Sequence, residues 1–467
     1  MTSKWNGQKS LGRSDNPWKP RRQPRRLVLS LLLTTLVMLL VAPPLSAENW
    51  PHWRGPHFDG TSTETGLPTT WGADENLHWK LELPGPGGST PVVWGDRIFL
   101  TTSVEDSEDL RVLAVGRDGS LLWSRTAATG SKEVFAQFAI ETTSASPSPV
   151  TDGERVVALF GTATLVAYDF NGEELWRREL AEDYGAPNTY FGLSSSPLIL
   201  DGKVIVQNLH TDRQLLAAFD VATGETAWVH DRTTDARAEC LHSYASPVPF
   251  GSGDDAQVLI HGADYVSGHR PGDGAEVWRH GGLNPADSYN PAFRLVASPV
   301  VAGDLVVVPT AKRGPVYGLR PGGANGNVTG KTEHRAWLLD RGTPDVPSPV
   351  VHDGLVYLSG ENGRLTVLDA ASGETLFAER VHQSTHRGSP VLADGKLFLT
   401  ATDGTVSVLK PGKTLEVLAK NHLEDRLAAS PAISDGTIFL RGNKALYAVG
   451  MVAPAPETSA PETAEGR

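Results

Sequence analysis

The feature that most constrains this chain is a short motif in which a serine, closely followed by a proline, opens an apolar stretch. The motif occurs eight times, and successive copies lie 41–58 residues apart. Repeats of this period are typical of propellers and solenoids, in which each copy contributes one small structural unit. The prolines that mark the copies are Pro91, Pro149, Pro197, Pro247, Pro299, Pro349, Pro390 and Pro431.

Most copies contain four short apolar segments separated by turn residues. In the sixth copy, Asp353-Gly354 precedes the second segment, Leu355–Ser359, and the third segment ends at Asp369. Asp-Gly pairs between apolar runs favour β-hairpins. One four-stranded sheet per copy, repeated around an axis, makes a propeller. The sequence therefore predicts an all-β fold, an eight-bladed β-propeller of four-stranded antiparallel blades.

The two ends of the repeat region complement each other. The eighth copy ends at Val449 without a fourth strand, whereas Leu77–Leu81 has a strand pattern but no repeat of its own. We expect this N-terminal strand to complete the last blade and close the ring, because closure removes exposed sheet edges.

A tryptophan recurs in the predicted fourth strands. Phe377 and Val417 are expected at the same place in the sixth and seventh copies. Recurrence at one place per blade indicates packing between blades rather than stacking on a ligand. The predicted docking residues are Trp79, Trp123, Trp176, Trp228, Trp278 and Trp337.

The N-terminus has the pattern of an export signal. A basic run, Arg21–Arg26, precedes uncharged residues 27–42, and a small residue, Ala47, follows. This order predicts a secretory signal peptide and an exported protein of the periplasm or cell envelope. An uncleaved membrane anchor is the alternative, because the apolar run is at the short limit for a span. The predicted parts are a signal peptide at 1–47, an N-terminal extended segment at 48–76, the propeller at 77–450 and a disordered tail at 451–467.

Charge narrows the class of partner. The whole chain has a net charge of −12, and the chain without residues 1–47 has a net charge of −19. Nucleic-acid binding needs a basic face, so this balance argues against it. We expect a monomer or a member of a hetero-complex.

Propeller topology places the loops before each Ser-Pro motif at one end of the axis, together with the loops between second and third strands. Three interpretations remain open for the charged residues there: ordinary solvated loop residues, a funnel that binds an anion or an acidic peptide, or a cofactor site. The residues are His242, Arg294, Lys312, Arg313, Asp345, His386, Arg387 and Arg426.

The segment Ala218–Trp228 resembles the tryptophan-docking repeat of quinoprotein propellers. Asp169, Gly172 and Trp176 form a shorter version of it. Over about residues 49–450 the chain resembles the PQQ-like (pyrroloquinoline-quinone-like) repeat family. This family includes PQQ alcohol dehydrogenases and the propeller subunit of the bacterial outer-membrane barrel-assembly machinery. The opening Asn49–Pro56 resembles secreted, planctomycete-type members.

The resemblance implies two functions, and the residues favour one. The dehydrogenases of the family carry two adjacent cysteines and a calcium held by Glu, Asn and Asp, but this chain has a single cysteine, Cys240. The sequence also lacks an Asp-x-Asp-x-Asp-Gly calcium loop. We therefore expect an exported, non-catalytic propeller that serves as a protein-binding or assembly scaffold in the bacterial cell envelope. It would have no catalytic residues, metal or cofactor, and its partners would be envelope proteins or an acidic peptide or anion. A PQQ-dependent or quinone-like oxidoreductase is the alternative, and a sugar-binding module would need an exposed aromatic platform.

Overall fold

The computed structural model describes residues 48–130 and 143–451. The predicted signal peptide and the predicted tail after Met451 lie outside these ranges. Within the ranges, no helix has the length and apolarity needed to cross a membrane.

The predicted fold class is confirmed: in the described ranges, eight sheets built on four antiparallel strands form an eight-bladed propeller, and one sheet has a fifth strand. The second and third strands of the blades are buried on both faces, because each lies between neighbouring blades. Leu355–Ser359, for example, is buried at all five positions. The outermost strands are more exposed, and Leu77–Glu82 alternates between half-buried and exposed positions. Continuous apolar runs therefore mark the strands that neighbouring blades cover on both faces.

In each blade the first strand lies nearest the axis and the fourth lies outermost. Blades 1 to 4 consist of Val92–Trp94, Arg97–Ser103, Asp109–Gly116 and Leu121–Thr129 (blade 1); Val150–Thr151, Arg155–Leu159, Thr164–Asp169 and Glu174–Glu179 (blade 2); Leu198–Leu200, Lys203–Leu209, Gln214–Asp220 and Thr226–Asp231 (blade 3); and Val248–Phe250, Gln257–Gly262, Tyr265–His269 and Glu276–His280 (blade 4). Blades 5 to 8 consist of Val300–Ala302, Leu305–Pro309, Val316–Leu319 and Arg335–Leu339 (blade 5); Val350–His352, Leu355–Ser359, Arg364–Asp369 and Thr375–Arg380 (blade 6); Val391–Ala393, Lys396–Thr400, Thr405–Lys410 and Glu416–His422 (blade 7); and Ala432–Ser434, Thr437–Arg441, Ala445–Gly450 and Leu77–Glu82 (blade 8).

The helices of the described ranges are short. One α-helix spans Leu180–Tyr184. The 3-10 turns are Ala238–Leu241, Gly253–Asp255, Ala286–Ser288 and Thr332–His334.

The outermost strand of blade 8 comes from the other end of the repeat region. Leu77–Glu82 pairs antiparallel with Ala445–Gly450, and Trp79 lies opposite Ala448. Leu77, Trp79 and Leu81 pack against the core of blade 8. The first and last parts of the propeller are thus held in one sheet.

The serine of the repeated motif forms a hydrogen bond between blades. Its backbone N–H donates to the hydroxyl of the corresponding serine in the next blade, as from Ser298 to Ser348 at 2.8 Å. Within the described ranges there are seven such bonds, all 2.8–3.0 Å long, and Thr90 is the first donor. We call the seven acceptor residues the serine belt: Ser148, Ser196, Ser246, Ser298, Ser348, Ser389 and Ser430.

In five blades of the described ranges, a tryptophan links the outermost strand to the next blade. Each indole N–H donates to a backbone carbonyl of the neighbouring blade. A glycine of positive φ lies under each ring, and a Cβ at Gly172, for example, would collide with Trp123. The five bonds run from Trp79 to Arg117, Trp123 to Phe170, Trp176 to Val221, Trp228 to Pro271 and Trp337 to Ala370, at 2.6–3.0 Å.

Blade 4 departs from this pattern. Trp278 is fully buried at the seam with blade 5, but its N–H donates to Gln257 Oε1 of its own blade at 2.7 Å. Two residues from a long connection in blade 5, Gly326–Asn327, pair in parallel with the outer strand of blade 4. That blade therefore has a fifth strand.

The expectation for Val417 is wrong. In blade 7, Ala419 lies opposite Val408, which is the register that Trp123 has opposite Ala114 in blade 1. Val417 lies opposite Leu409, on the other side of the β-bulge from the docking position, and is 41% exposed.

The N-terminal segment covers one end of the axis. The Arg54 guanidinium is buried and donates to the carbonyls of Pro349 and Pro390 at 2.6 and 3.0 Å. Burial lowers its pKa to about 10, an effect that Asp59 partly opposes. Gly60 has φ +83, and a Cβ there would collide with the guanidinium. Arg54 thus joins the first turns of the segment to blades 6 and 7.

Candidate functional site

A cavity of about 260 Å³ lies on the propeller axis. Two layers of residues line it, one from the position before each motif proline and one from two positions earlier. The first layer is Thr90 with the serine belt, and the second is Gly88, Ser146, Ser194, Tyr244, Val296, Val346, Arg387 and Ala428. Trp53, Phe191, Arg294 and Asp345 complete the lining.

Three of the predicted cations surround one predicted carboxylate. Asp345 is 6% exposed, and its Oδ2 atom lies 3.6 Å from Lys312 Nζ, 3.7 Å from Arg294 Nη2 and 4.0 Å from Arg387 Nη1. These four residues come from the loops before the motif prolines and from one loop between second and third strands. Because each of these distances is beyond about 3.5 Å, Asp345 balances the charge of the cations without hydrogen-bonding to them.

Two acids of this cluster were not predicted. Glu361 accepts the backbone N–H of Asp345 and lies 3.0 Å from Lys312 Nζ, and Glu239 lies 3.2 Å from Arg294. Burial raises the pKa of Glu361, but the hydrogen bonds from Asp345 and Lys312 outweigh it, and the net shift is downwards. Glu361 follows the second strand of blade 6, so inspecting that loop in every blade would have found it.

Both predicted histidines are buried within the blades. His242 is 1% exposed, and its Nε2 atom lies 2.8 Å from Thr211 Oγ1. Burial, with help from His210 and Arg294, lowers its pKa. His386 is fully buried with Nδ1 3.0 Å from Ser359 Oγ, and burial lowers its pKa to about 4. Neither imidazole lines the axial cavity.

The last two predicted residues also lie outside the cavity lining. Arg313 is exposed in a turn with φ 62°, next to Lys312. Arg426 is half-buried, and its backbone N–H donates to Asp425 at 2.7 Å. The predicted set thus divides into four clustered residues, two buried histidines and two cations outside the cavity.

Aromatic rings stand beside the cationic cluster. The Arg294 guanidinium lies 5.0 Å from the centre of the Phe191 ring, and Phe191 meets Tyr244 edge-on at 5.6 Å. Tyr190 packs edge-on against His242 and is 56% exposed. Tyr190 and Phe191 lie in the connection between blades 2 and 3, which brings both rings to this end of the axis.

The fold defines a propeller of the quinoprotein type. A sequence model of a family described as outer membrane protein assembly factor BamB matches residues 108–308 and 272–414. The chain belongs to this PQQ-like repeat family.

The relatives divide between two kinds of protein. The outer membrane protein assembly factor BamB of Yersinia pestis is 25% identical over 280 residues, which are 56% of this chain and 61% of the relative. The chain thus spans about three fifths of that relative's length. The structure of BamB from Moraxella catarrhalis has a TM-score of 0.55 at 16% identity and covers 80% of this chain and 99% of its own. The quinohemoprotein alcohol dehydrogenase from Comamonas testosteroni has a TM-score of 0.64 at 14% identity, with coverages of 88% and 82%. Likenesses at these identities show the fold alone.

The cavity residues do not fit a quinone held beside calcium. Asp345 is the single carboxylate among the lining residues of the described ranges, and three cations already surround it. Ca²⁺ needs six to eight oxygen ligands and usually several carboxylates. Within these ranges no group of three or more His, Cys, Asp or Glu side chains is arranged to hold a metal. Cys240 is buried between Asn284 and Asn290 and does not line the cavity.

Proposed function

We propose that this chain is an exported, non-catalytic propeller that binds another protein of the bacterial cell envelope through the end of the axis that carries Tyr190, Lys312 and Arg313. Family membership supports a role in protein assembly in general terms. The observation that carries the proposal is the exposed aromatic and cationic surface at this end, where Tyr190 is 56% exposed and the Lys312 side chain is 45% exposed.

The chemistry of this surface is that of a protein interface. Tyrosine and arginine are enriched among the residues that dominate binding energy. Tyrosine combines a large contact area with few rotatable bonds, and arginine has several hydrogen-bond donors. The protein without residues 1–47 has a net charge of −19. The cluster around Asp345 is close to balanced, so the exposed Arg313 beside it supplies the local positive charge. The expected partner segment is acidic, with an aromatic or apolar side chain that packs against Tyr190.

The test is capture of envelope proteins at low salt by purified protein and by a Tyr190→Ala, Arg313→Glu double variant. Both positions are exposed, so the variant should keep the melting temperature of the parent. We expect the variant to lose the captured partner, and we expect capture by the parent to weaken as salt rises, because part of the attraction is screened over ~8 Å at physiological ionic strength.

The matched control is a Lys331→Glu variant, which makes the same change in net charge at an exposed cation in another loop. Equal loss of the partner from both variants would show that net charge alone drives capture. Unchanged capture by the Tyr190 variant would place the partner on another surface.

A separate assay addresses the oxidoreductase alternative. We expect no dye-linked alcohol or sugar dehydrogenase activity after incubation with PQQ and Ca²⁺. The carboxylate in the cavity lining is that of Asp345, and three cations already surround it. A 1:1 quinone complex with turnover would contradict the proposal.

A further inference from the structure

We propose that the axial cavity binds a small di- or tricarboxylate, whose oxygens accept hydrogen bonds from the serine belt and from Arg294. This inference does not rest on the protein-binding role, because the belt lies inside the propeller and Tyr190 lies at its exposed end.

The serine belt supplies donors without protein acceptors. Each belt hydroxyl accepts a backbone N–H from the preceding blade, which uses one lone pair and leaves the hydroxyl hydrogen available. Within residues 48–130 and 143–451, no hydroxyl of the belt donates to a protein atom, and the belt residues are only 3–6% exposed. Buried donors almost always have an acceptor. The acceptors are therefore atoms of what fills the cavity, either water or a bound ligand.

Arg294 adds a charged donor at the same cavity. Its Nη1 atom binds Glu239 at 3.2 Å, whereas its Nη2 atom lies 3.7 Å from Asp345, beyond hydrogen-bonding distance. A guanidinium edge suits the two oxygens of a carboxylate. The charges of the cluster are close to balanced, so net attraction alone does not select an anion. The ring of belt hydroxyls favours one, because each belt oxygen already accepts a backbone N–H and its hydrogen is left to donate.

The size of the cavity separates this ligand from larger ones. Its volume of about 260 Å³ is below the ~300–1,000 Å³ of pockets that hold drug-sized ligands. Trp53, next to the buried Arg54, forms part of its wall. A small organic acid fits this space, whereas a folded peptide segment does not.

The experiment is isothermal titration of the full chain with citrate and succinate, and with inorganic phosphate and glucose as probes of other chemistry. We expect saturable 1:1 binding of citrate or succinate and none of glucose. Arg294→Gln should weaken that binding at least about tenfold, the loss of one charge-assisted hydrogen bond. Ser298→Ala should weaken it about threefold or more, and Ser298→Thr, which keeps a hydroxyl as at Thr90, should stay within about twofold.

Arg335→Gln, a change at an exposed arginine in the outer strand of blade 5, is the control and should bind as the parent does. Thermal melts without ligand establish that each variant is folded. The proposal is overturned if neither acid binds, if phosphate binds as tightly as citrate, or if Arg335→Gln weakens binding as much as Arg294→Gln. Loss of acid binding with unchanged protein capture would leave the proposed interface intact.

Discussion

A tryptophan lies at the seam between blades 2 and 3 and another at the seam between blades 4 and 5, but their indole N–H groups have different kinds of hydrogen-bond partner. Trp176 reaches across its seam, donates to Val221 at 3.0 Å and lies over Gly224. Trp278 is more deeply buried but donates to Gln257 within its own blade. In blade 5 the connection between the third and fourth strands runs over residues 320–334, against 370–374 in blade 6. Where the short turn with its glycine is replaced, the indole keeps its packing and changes its hydrogen-bond partner.

The same comparison extends to the outer edges. The long connection in blade 5 places Gly326–Asn327 along the edge of blade 4. A covered edge cannot pair with another chain, whereas an open one can. Blade 4 also buries three histidines, His261, His269 and His280. It is therefore the blade whose stability should depend most on pH.

The largest effect is expected from removing the N-terminal segment and strand, residues 48–82. The deletion takes away the outer strand of blade 8 and the buried Trp50 and Arg54. It would leave an open edge and exposed apolar surface. We expect aggregation in size-exclusion chromatography and no cooperative melt. A chain that lacks only residues 1–47 is the control, and a 48–82 deletion that melts like this control would show that the ring closes in another way.

The next effect concerns the two kinds of seam. Trp278→Ala should lower the free energy of unfolding by about 3–5 kcal/mol, because the side chain is fully buried and its loss leaves a cavity. Trp79→Ala should cost about 1–2 kcal/mol, because Trp79 is only partly buried. Denaturant unfolding measures both. Equal costs would show that the buried and the cross-seam tryptophans contribute alike.

A smaller effect is expected from acid. Burial, with a contribution from Arg232, lowers the pKa of His261 to about 3, against ~6.5 in the unfolded chain. The unfolded state therefore binds the proton first. The stability from this histidine is complete above about pH 6.5 and is lost as pH falls towards 3, by about 2 kcal/mol at pH 5.

His261→Gln should flatten the dependence of unfolding free energy on pH between 7 and 5 by that amount. Val266→Ala, which weakens the same blade without removing an imidazole, should keep the slope of the parent. An unchanged slope in His261→Gln would mean that this imidazole is protonated equally in both states.

The smallest effect is expected in the serine belt. Ser348→Ala leaves the backbone N–H of Ser298 without its acceptor at 2.8 Å and should cost about 1–2 kcal/mol. Ser348→Thr keeps the hydroxyl and should cost less than about 1 kcal/mol. Thermal unfolding of the two variants separates loss of the hydrogen bond from a change in side-chain volume, and equal melting temperatures would show that the bond contributes nothing.

The charged cluster illustrates why only part of the site followed from the sequence. Topology placed Arg294, Lys312, Asp345 and Arg387 at one end of the axis, since each lies in a loop of known position in a blade. The same argument placed His242 and His386 there, but these side chains turn inwards to Thr211 and Ser359. A blade position fixes where the backbone lies, whereas the rotamer depends on contacts that only packing supplies.

The repeat period, the turn residues and the unpaired strand pattern at residues 77–81 were enough to predict eight four-stranded blades, because local hydrogen bonding and burial act within each copy. The serine before each proline was visible as well, but its partner lies 41–58 residues away in the next blade, and no local pattern names a partner at that distance. Tertiary structure alone decided that the serines form a belt, that Trp278 turns back to its own blade and that Glu239 and Glu361 join the cations, because each of these contacts exists only after the blades have packed together.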